Sequence, residues 1–498
     1  MEADAGKKLS TGRSVGMNIR RREFLRGSSL GTMAAVLGSC ATLKDCEQAI
    51  ARRPTRRNID TLPANDAILA AYKSAITQMR ALPASDGRNW NNQALIHQNH
   101  CPHGNWLLLP WHRAYLFFFE RICRKLSGMT DFALPYWDWS INQHVPGAFW
   151  GGSANPLFDA NRVASASSTI STSLVGPAVL DPILNDPNFL TFASGAIAAT
   201  DGQRTRSTSG PLEATPHNNV HGFVGGDMGA FMSPLDPIFW THHAMLDRCW
   251  VEWNIVRNHP NTSDTAWTNR KFTDFVDENG SPVEVTAIET VLYPIFSYQY
   301  DTPIPPLPTS GARRVERRVI GDSKREQEDA ARLIKAGASV QLDSLARFTT
   351  TAPLQSLLQK PARATLPIDG ASVRSALGSE GQRVLLSLGG TSNNHTEDFV
   401  VRIFLNRPEA PDATTPTSDP AYVTSFSFFG HDHAGMPSNE GAFRLDVTAA
   451  LRRQGALTNQ LQIDLVLVPF EGRVPKTRAF TVQTVQLEVI RDIVKGST

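Results

Sequence analysis

Four histidines and a cysteine fall within sixteen residues, "HQNHCPHGNWLLLPWH" at 97–112. A second group lies over a hundred residues downstream, in "LEATPHNNVH" at 212–221 and "SPLDPIFWTHHAMLDRCW" at 233–250. His217 and His221 are four apart, so on a helix both rings leave the same face and can reach one ion. In the later segment Phe239, His243, Leu246 and Trp250 share one side of a helix, which turns His243 inward and His242 about 100° away. An isolated pair of this kind is commonly two unrelated surface residues. Two clusters, each offering three inward imidazoles among bulky aromatics, point to metal. Neither cluster is dominated by Asp or Glu, which disfavours Mg²⁺, Ca²⁺ and a di-iron carboxylate centre and suits copper or zinc. The economical reading is a pair of three-histidine copper sites.

The elements that must position these rings are mostly helical. "NDAILAAYKSAITQMRAL" sets Ile68, Leu69, Tyr72, Ile76 and Met79 on one stripe, and "HRAYLFFFERICRKL" does the same with Leu116, Phe119, Ile122, Cys123 and Leu126. Asp236-Pro237 reads as an N-cap followed by proline at the first helical position. Proline-rich and then densely charged sequence at 303–345 reads as a protease-accessible linker. From 346 the period shifts to two in "FVVRIFL", "AFRLDV" and "LQIDLVLV", the pattern of a β-sandwich. The expected organisation is a signal region at 1–40, a mainly α domain at 41–302 with a four-helix bundle around a dicopper site, the linker, and an all-β sandwich at 346–498.

The first forty residues hold seven of the 49 Lys and Arg and three of the 47 Asp and Glu, leaving 42 basic and 44 acidic residues. That balance gives no footprint for nucleic acid. "RRREFLRGSSLGTMAAVLGSC" at 20–40 fits a twin-arginine export signal, and an exported location is expected. "LGSC" also makes Cys40 a candidate lipid-bearing N-terminus, and no transmembrane bundle is expected. Five scattered cysteines do not make a disulfide framework.

Both histidine segments resemble the type 3 copper proteins: tyrosinases, catechol oxidases and haemocyanins. "HGNWLLLPWHRAYLFFFE" is similar to the first-copper signature, and "PHNNVH" with "SPLDPIFWTHHAMLDRCW" to the second. The resemblance implies two copper ions, one held by His97, His103 and His112 and the other by His217, His221 and His243, with His100 and His242 as non-ligands. It implies oxidation of o-diphenols to o-quinones by O₂, with hydroxylation of monophenols in true tyrosinases. Oxygen carriage, as in haemocyanin, and a zinc hydrolase are the competing functions.

Further residue roles follow from the same resemblance. Cys101-Pro102-His103 matches the arrangement in which cysteine sulfur joins the histidine ring as a thioether. Glu213 and Asn218 occupy the places of a carboxylate and an amide that hold an ordered water, a proton acceptor for the phenol. Phe231 stands at the position of the substrate gate. Asp236 and Asp247 are expected to be structural. Tyr298-Gln299-Tyr300 is similar to the tyrosine motif that packs on an amino-terminal arginine, here Arg56 or Arg57. The β-sandwich is similar to the one that follows the core in plant polyphenol oxidases. From it an aromatic of "SFSFFGHDH", Phe426 or Phe428, is expected to fill the substrate pocket of a latent form. His431 and His433 in that stretch are read as a solvated turn rather than a metal site.

Overall fold

The computed structural model describes residues 52–304, 340–351, 354–357, 360–391, 399–429, 441–455, 457–470, 473 and 479–494. The expected signal and Cys40, most of the linker, and His431 and His433 lie outside them.

Five helices build the site: α1 (Ala67–Ala81), α2 (Trp90–His100), α3 (Leu108–Ser127), α4 (Asn218–Val224) and α5 (Ile238–Val251). The side chain of Asp66 accepts from Ile68 N to cap α1, and Asn89 accepts from Asn91 N to cap α2, each satisfying a donor the first turn leaves open. Gly128 closes α3 at φ 75°, a left-handed turn that costs glycine little. α3 is buried along most of its length, and its Phe119 ring stacks 3.4 Å from Trp240 of α5. α4 is preceded by a π-helical turn, Glu213–His217, that contains Pro216. Pro237 stands at the N-cap of α5 and not at its first helical position, while Asp236 just before it accepts from Ile238 N at 3.0 Å and is ion-paired with the buried Arg162 side chain.

The carboxy-terminal part is not all-β, since it carries the helices Gly370–Gly378 and Thr448–Gln454 beside its sheets, and it opens with the strand Val340–Thr350, ahead of residue 346. Its charged Asp343 and Arg347 hide the period of two. A five-stranded sheet runs in the order Thr208–Ser209, Gly441–Asp446, Gln382–Thr391, Thr484–Val494, Val340–Thr350. A four-stranded sheet runs Tyr422–Phe426, Phe399–Leu405, Gln460–Pro469, Ala362–Pro367. Their inner faces share one core, with Leu386, Leu388 and Leu487 from the first sheet and Val401, Ile403 and Leu465 from the second.

The edge strand Thr208–Ser209 belongs to the helical part and pairs in parallel with Ala442–Phe443. Arg383 of the sandwich reaches Asp186 of the helical part at 2.6 Å while also binding Asp492 at 2.8 Å. Ser427 N donates to Ala214 O at 3.0 Å. Asn218 Nδ2 donates to Ser427 O at 2.7 Å. The two parts are therefore fastened at the π-helical turn that carries His217.

Candidate metal centre

α2 supplies His97, the loop after it His103, and α3 His112. Their potential ligand atoms lie within 4.8 Å of one another. The ring centroids are 5.4 to 5.5 Å apart, close to an equilateral arrangement. His217, His221, His242 and His243 form a second group by the same measure, and all seven rings are buried. The groups face each other: His112 stacks on His243 at 4.3 Å, and His103 lies 5.4 Å from His217.

Hydrogen bonding fixes which nitrogen four of the rings present. Nδ1 of His97 meets Phe231 O at 2.7 Å, that of His112 meets Leu108 O at 2.8 Å, and that of His221 meets Met228 O at 2.6 Å. His217 Nδ1 meets Asn218 Oδ1 at 2.7 Å. A ring that donates from Nδ1 carries its lone pair on Nε2, the pattern of metal-ligating histidine. Nε2 of His97, His103, His112 and His217 is buried without any hydrogen-bond partner. His221 Nε2 and His243 Nε2 are 3.2 Å apart. Two nitrogens on one tetrahedral ion at the usual 2.0–2.1 Å stand about 3.3 Å apart. Burial pushes His97 down to about 3 and His217 to about 4, and holds the other rings well below their usual value, so all are neutral and ready to coordinate. The residues fit a pair of copper ions.

Similarity to known proteins agrees with this geometry. The common central domain of tyrosinase matches residues 87–179 and 154–255, which together carry all seven histidines of the two groups. Over that stretch the chain is similar to tyrosinases and polyphenol oxidases. It is 27% identical over 461 residues to tyrosinase HcTyr1 of Hahella sp., covering 80% of this chain and 91% of that one. To a chloroplastic polyphenol oxidase of Vitis vinifera it is 35% identical over 283 residues, but that match covers 48% of this chain and 46% of the relative. Among solved structures, latent aurone synthase, a polyphenol oxidase, superposes with a TM-score of 0.66 at 24% identity, over 89% of this chain and 90% of that one. That likeness shows the shared two-part fold.

Within this tyrosinase-like site the other residues take definite places. Cys101 is buried with its sulfur 3.4 Å from His103 Nδ1, and burial pushes the thiol up. Glu213 is buried with both oxygens engaged: Oε1 accepts from Gly104 N at 2.6 Å and Oε2 from Ser194 Oγ at 2.7 Å. Burial raises its carboxyl, with the Ser194 and Gly104 hydrogen bonds opposing. The Phe231 ring stands 5.8 Å from His103 and 6.4 Å from His97. The His100 side chain is 45% exposed and its Nδ1 is 3.2 Å from Asp274, away from both groups. His242 is not set apart as its helical angle suggested. Its ring lies 4.9 Å from His221 and 5.6 Å from His217, and neither of its nitrogens is hydrogen-bonded.

The ring that covers the imidazoles is Phe429, not Phe426 or Phe428. It lies 4.3 Å from His221, 4.6 Å from His103 and 5.3 Å from Phe231. Phe426 and Phe428 point the other way and pack on Phe443 at 4.3 and 5.1 Å in the sandwich core. Phe429 lies beyond the last strand residue, Phe426, where alternation no longer tells which ring faces outward.

Behind the site, Asp247 accepts from Arg56 Nη1 at 3.0 Å, from the hydroxyls of Tyr298 and Tyr300, each at 2.6 Å, and from Arg113 Nε. The Arg56 guanidinium lies 3.6 Å over the Tyr298 ring, a cation–π contact that ties the two ends of the helical part together. Arg57 is instead part-exposed against Asp66. Sequence reasoning missed Arg113, which also lies 3.6 Å over Trp250, and Glu120, which binds Arg56 at 2.9 Å. Their signal was present, as charged residues on an otherwise apolar helix.

Proposed function

We propose that this chain is a type 3 copper phenol oxidase that converts o-diphenols to o-quinones with O₂. The carrying observation is the pair of facing imidazole groups, in which Nε2 of His97, His103, His112 and His217 is buried without a hydrogen-bond partner and those of His221 and His243 converge to 3.2 Å. His97, His103 and His112 would hold one copper, and His217, His221 and His243 the other. The bound pair supplies the activation of O₂ and the two-electron oxidation. The chain's own part is to fix the rings through backbone carbonyls, to exclude water with Phe231, Phe239 and the aromatic walls, and to orient the phenol. Loading with copper and following quinone formation from a catechol tests the reading.

Cys101 and His103 are proposed to become joined. Loss of the thiol hydrogen and one ring hydrogen forms a C–S bond, and O₂ accepts the two electrons and two protons. Peptide mass spectrometry should find a linked fragment lighter by two hydrogens, whereas a freely alkylatable Cys101 in active protein refutes the bond.

Monophenol hydroxylation is proposed as well. A phenol with pKa near 10 is ionised to only about one part in a thousand at neutral pH, so a proton acceptor helps it bind. Asn218 and the raised carboxyl of Glu213 support that role through an ordered water. Glu213→Gln should lower monophenol turnover about 100-fold while catechol turnover falls far less. Equal losses would leave Glu213 only its role of bracing the loop after His103.

The sandwich is proposed to keep the protein latent through Phe429. Aromatic contacts are worth about 0.5–1.5 kcal/mol each, so Phe429→Ala in the full chain should raise catechol oxidation about tenfold. An unchanged rate contradicts the covering role. Export through the twin-arginine-type signal completes the proposal and is supported by the sequence at 20–40. Among the described residues no helix is long and apolar enough to cross a membrane.

A further inference from the structure

Three of the imidazoles are fixed from within the helical part. Nδ1 of His97, His112 and His221 meets the backbone carbonyls of Phe231, Leu108 and Met228, which can only accept. His217 is held differently. Its Nδ1 meets Oδ1 of Asn218 at 2.7 Å, and Nδ2 of the same amide donates to Ser427 O of the sandwich, also at 2.7 Å. Ser427 is itself pinned to the turn that carries His217, its N donating to Ala214 O at 3.0 Å. His217, Asn218 and Ser427 are all buried, so bulk water offers them no alternative partners.

An amide has a donor end and an acceptor end. Turned over, Asn218 would meet His217 with its NH₂ group, the facing ring nitrogen would have to accept, and the ring hydrogen would pass to Nε2, the atom that must face the ion. A backbone carbonyl cannot donate. Ser427 O therefore admits only the NH₂ end, which leaves Oδ1 for His217, the hydrogen on Nδ1 and the lone pair on Nε2. His217 Nε2 is buried without a hydrogen-bond partner, as that arrangement requires.

We propose that Ser427 is a positioning residue for the second copper, its carbonyl selecting through Asn218 the tautomer of His217 that can bind the ion. This rests on the dicopper reading above and adds that the sandwich completes the second site, whereas His97 and His112 of the first take their fixing contacts from the helical part.

The test challenges the copper-loaded full chain with a competing chelator and counts the coppers retained. Asn218→Leu should hold one of its two coppers about 10–100-fold more weakly than wild type, the usual cost of losing a group that orients a ligand, and the other unchanged. Asn218→Asp should keep both, because a carboxylate only accepts and leaves the hydrogen on Nδ1 whatever Ser427 does. Ser427→Pro removes the N–H that pins this carbonyl, and it should loosen one copper about tenfold in the presence of Asn218 but not in the Asn218→Asp background. An ester in place of the Ser427–Phe428 amide weakens the carbonyl as an acceptor with every side chain kept, and it should act in the same direction. A second copper held equally tightly in wild type and Asn218→Leu overturns the proposal. So does one lost equally from Asn218→Asp, or an effect at Ser427 that persists in that background. A wild-type chain that takes up no copper overturns instead the dicopper reading beneath it.

Discussion

His243→Ala should reduce the copper content from two ions to one per chain and abolish phenol oxidation. His243 lies where the two groups meet, with its Nε2 3.2 Å from that of His221 and its ring stacked on His112. Removing a residue that merely supports a ligand costs about 10–100-fold in metal affinity, so loss of a ligand should cost more than that. The first group keeps all three of its rings, so one copper should remain. His242→Ala is the control, because its ring stands with the second group without a fixed nitrogen. That variant should retain close to two coppers. Metal analysis after dialysis checks both variants. Two coppers retained in His243→Ala, or one lost in His242→Ala, would move the ligand role to His242.

Asp247→Ala should destabilise the helical part by about 3–5 kcal/mol, the usual cost of stripping one partner from a buried ion pair. The substitution leaves Arg56 and Arg113, both fully buried, without their shared carboxylate, and two tyrosine hydroxyls without an acceptor. Burial pushes the Asp247 carboxyl up, but Arg113 and Arg56 outweigh it and hold it below its usual range. A carboxylate depressed in the fold contributes stability that is fully present above its unfolded value near 4 and is lost as pH falls through the lower folded value. The gap between wild type and Asp247→Asn should therefore stay flat above about pH 5 and narrow only in stronger acid. Urea unfolding at several pH values measures it. A difference below about 1 kcal/mol for Asp247→Ala would mean that the two arginines find other acceptors.

The histidine groups were legible because metal ligation imposes both residue type and spacing. His217 and His221 sit four apart across the join between the π-helical turn and α4, and His243 lies on the aromatic side of α5. Helical period likewise revealed α1 and α3, and strand alternation revealed the sandwich. Contacts between the two parts were less legible, since they depend on how separate surfaces meet. Nothing in "SFSFFGHDH" distinguishes Phe429 from Phe428 until the strand end at Phe426 is known. The choice of Arg56 over Arg57 depends on the parallel pairing of Thr55–Arg56 with Gln299–Tyr300, a contact spanning the whole helical part. His242 shows the limit of helical-angle reasoning: 100° on α5 still leaves its ring 4.9 Å from His221, because α4 approaches that side as well.

Oxygen consumption by the copper-loaded full chain in the presence of an o-diphenol, with metal content determined on the same sample, tests the central claim most directly. A phenol oxidase holding copper at both histidine groups should contain two coppers per chain and consume O₂ in proportion to the quinone formed, at a rate that rises after cleavage between residues 305 and 339. Two coppers with reversible O₂ binding and no quinone, before or after cleavage, would contradict the account and leave an oxygen carrier. Zinc in their place would contradict it altogether.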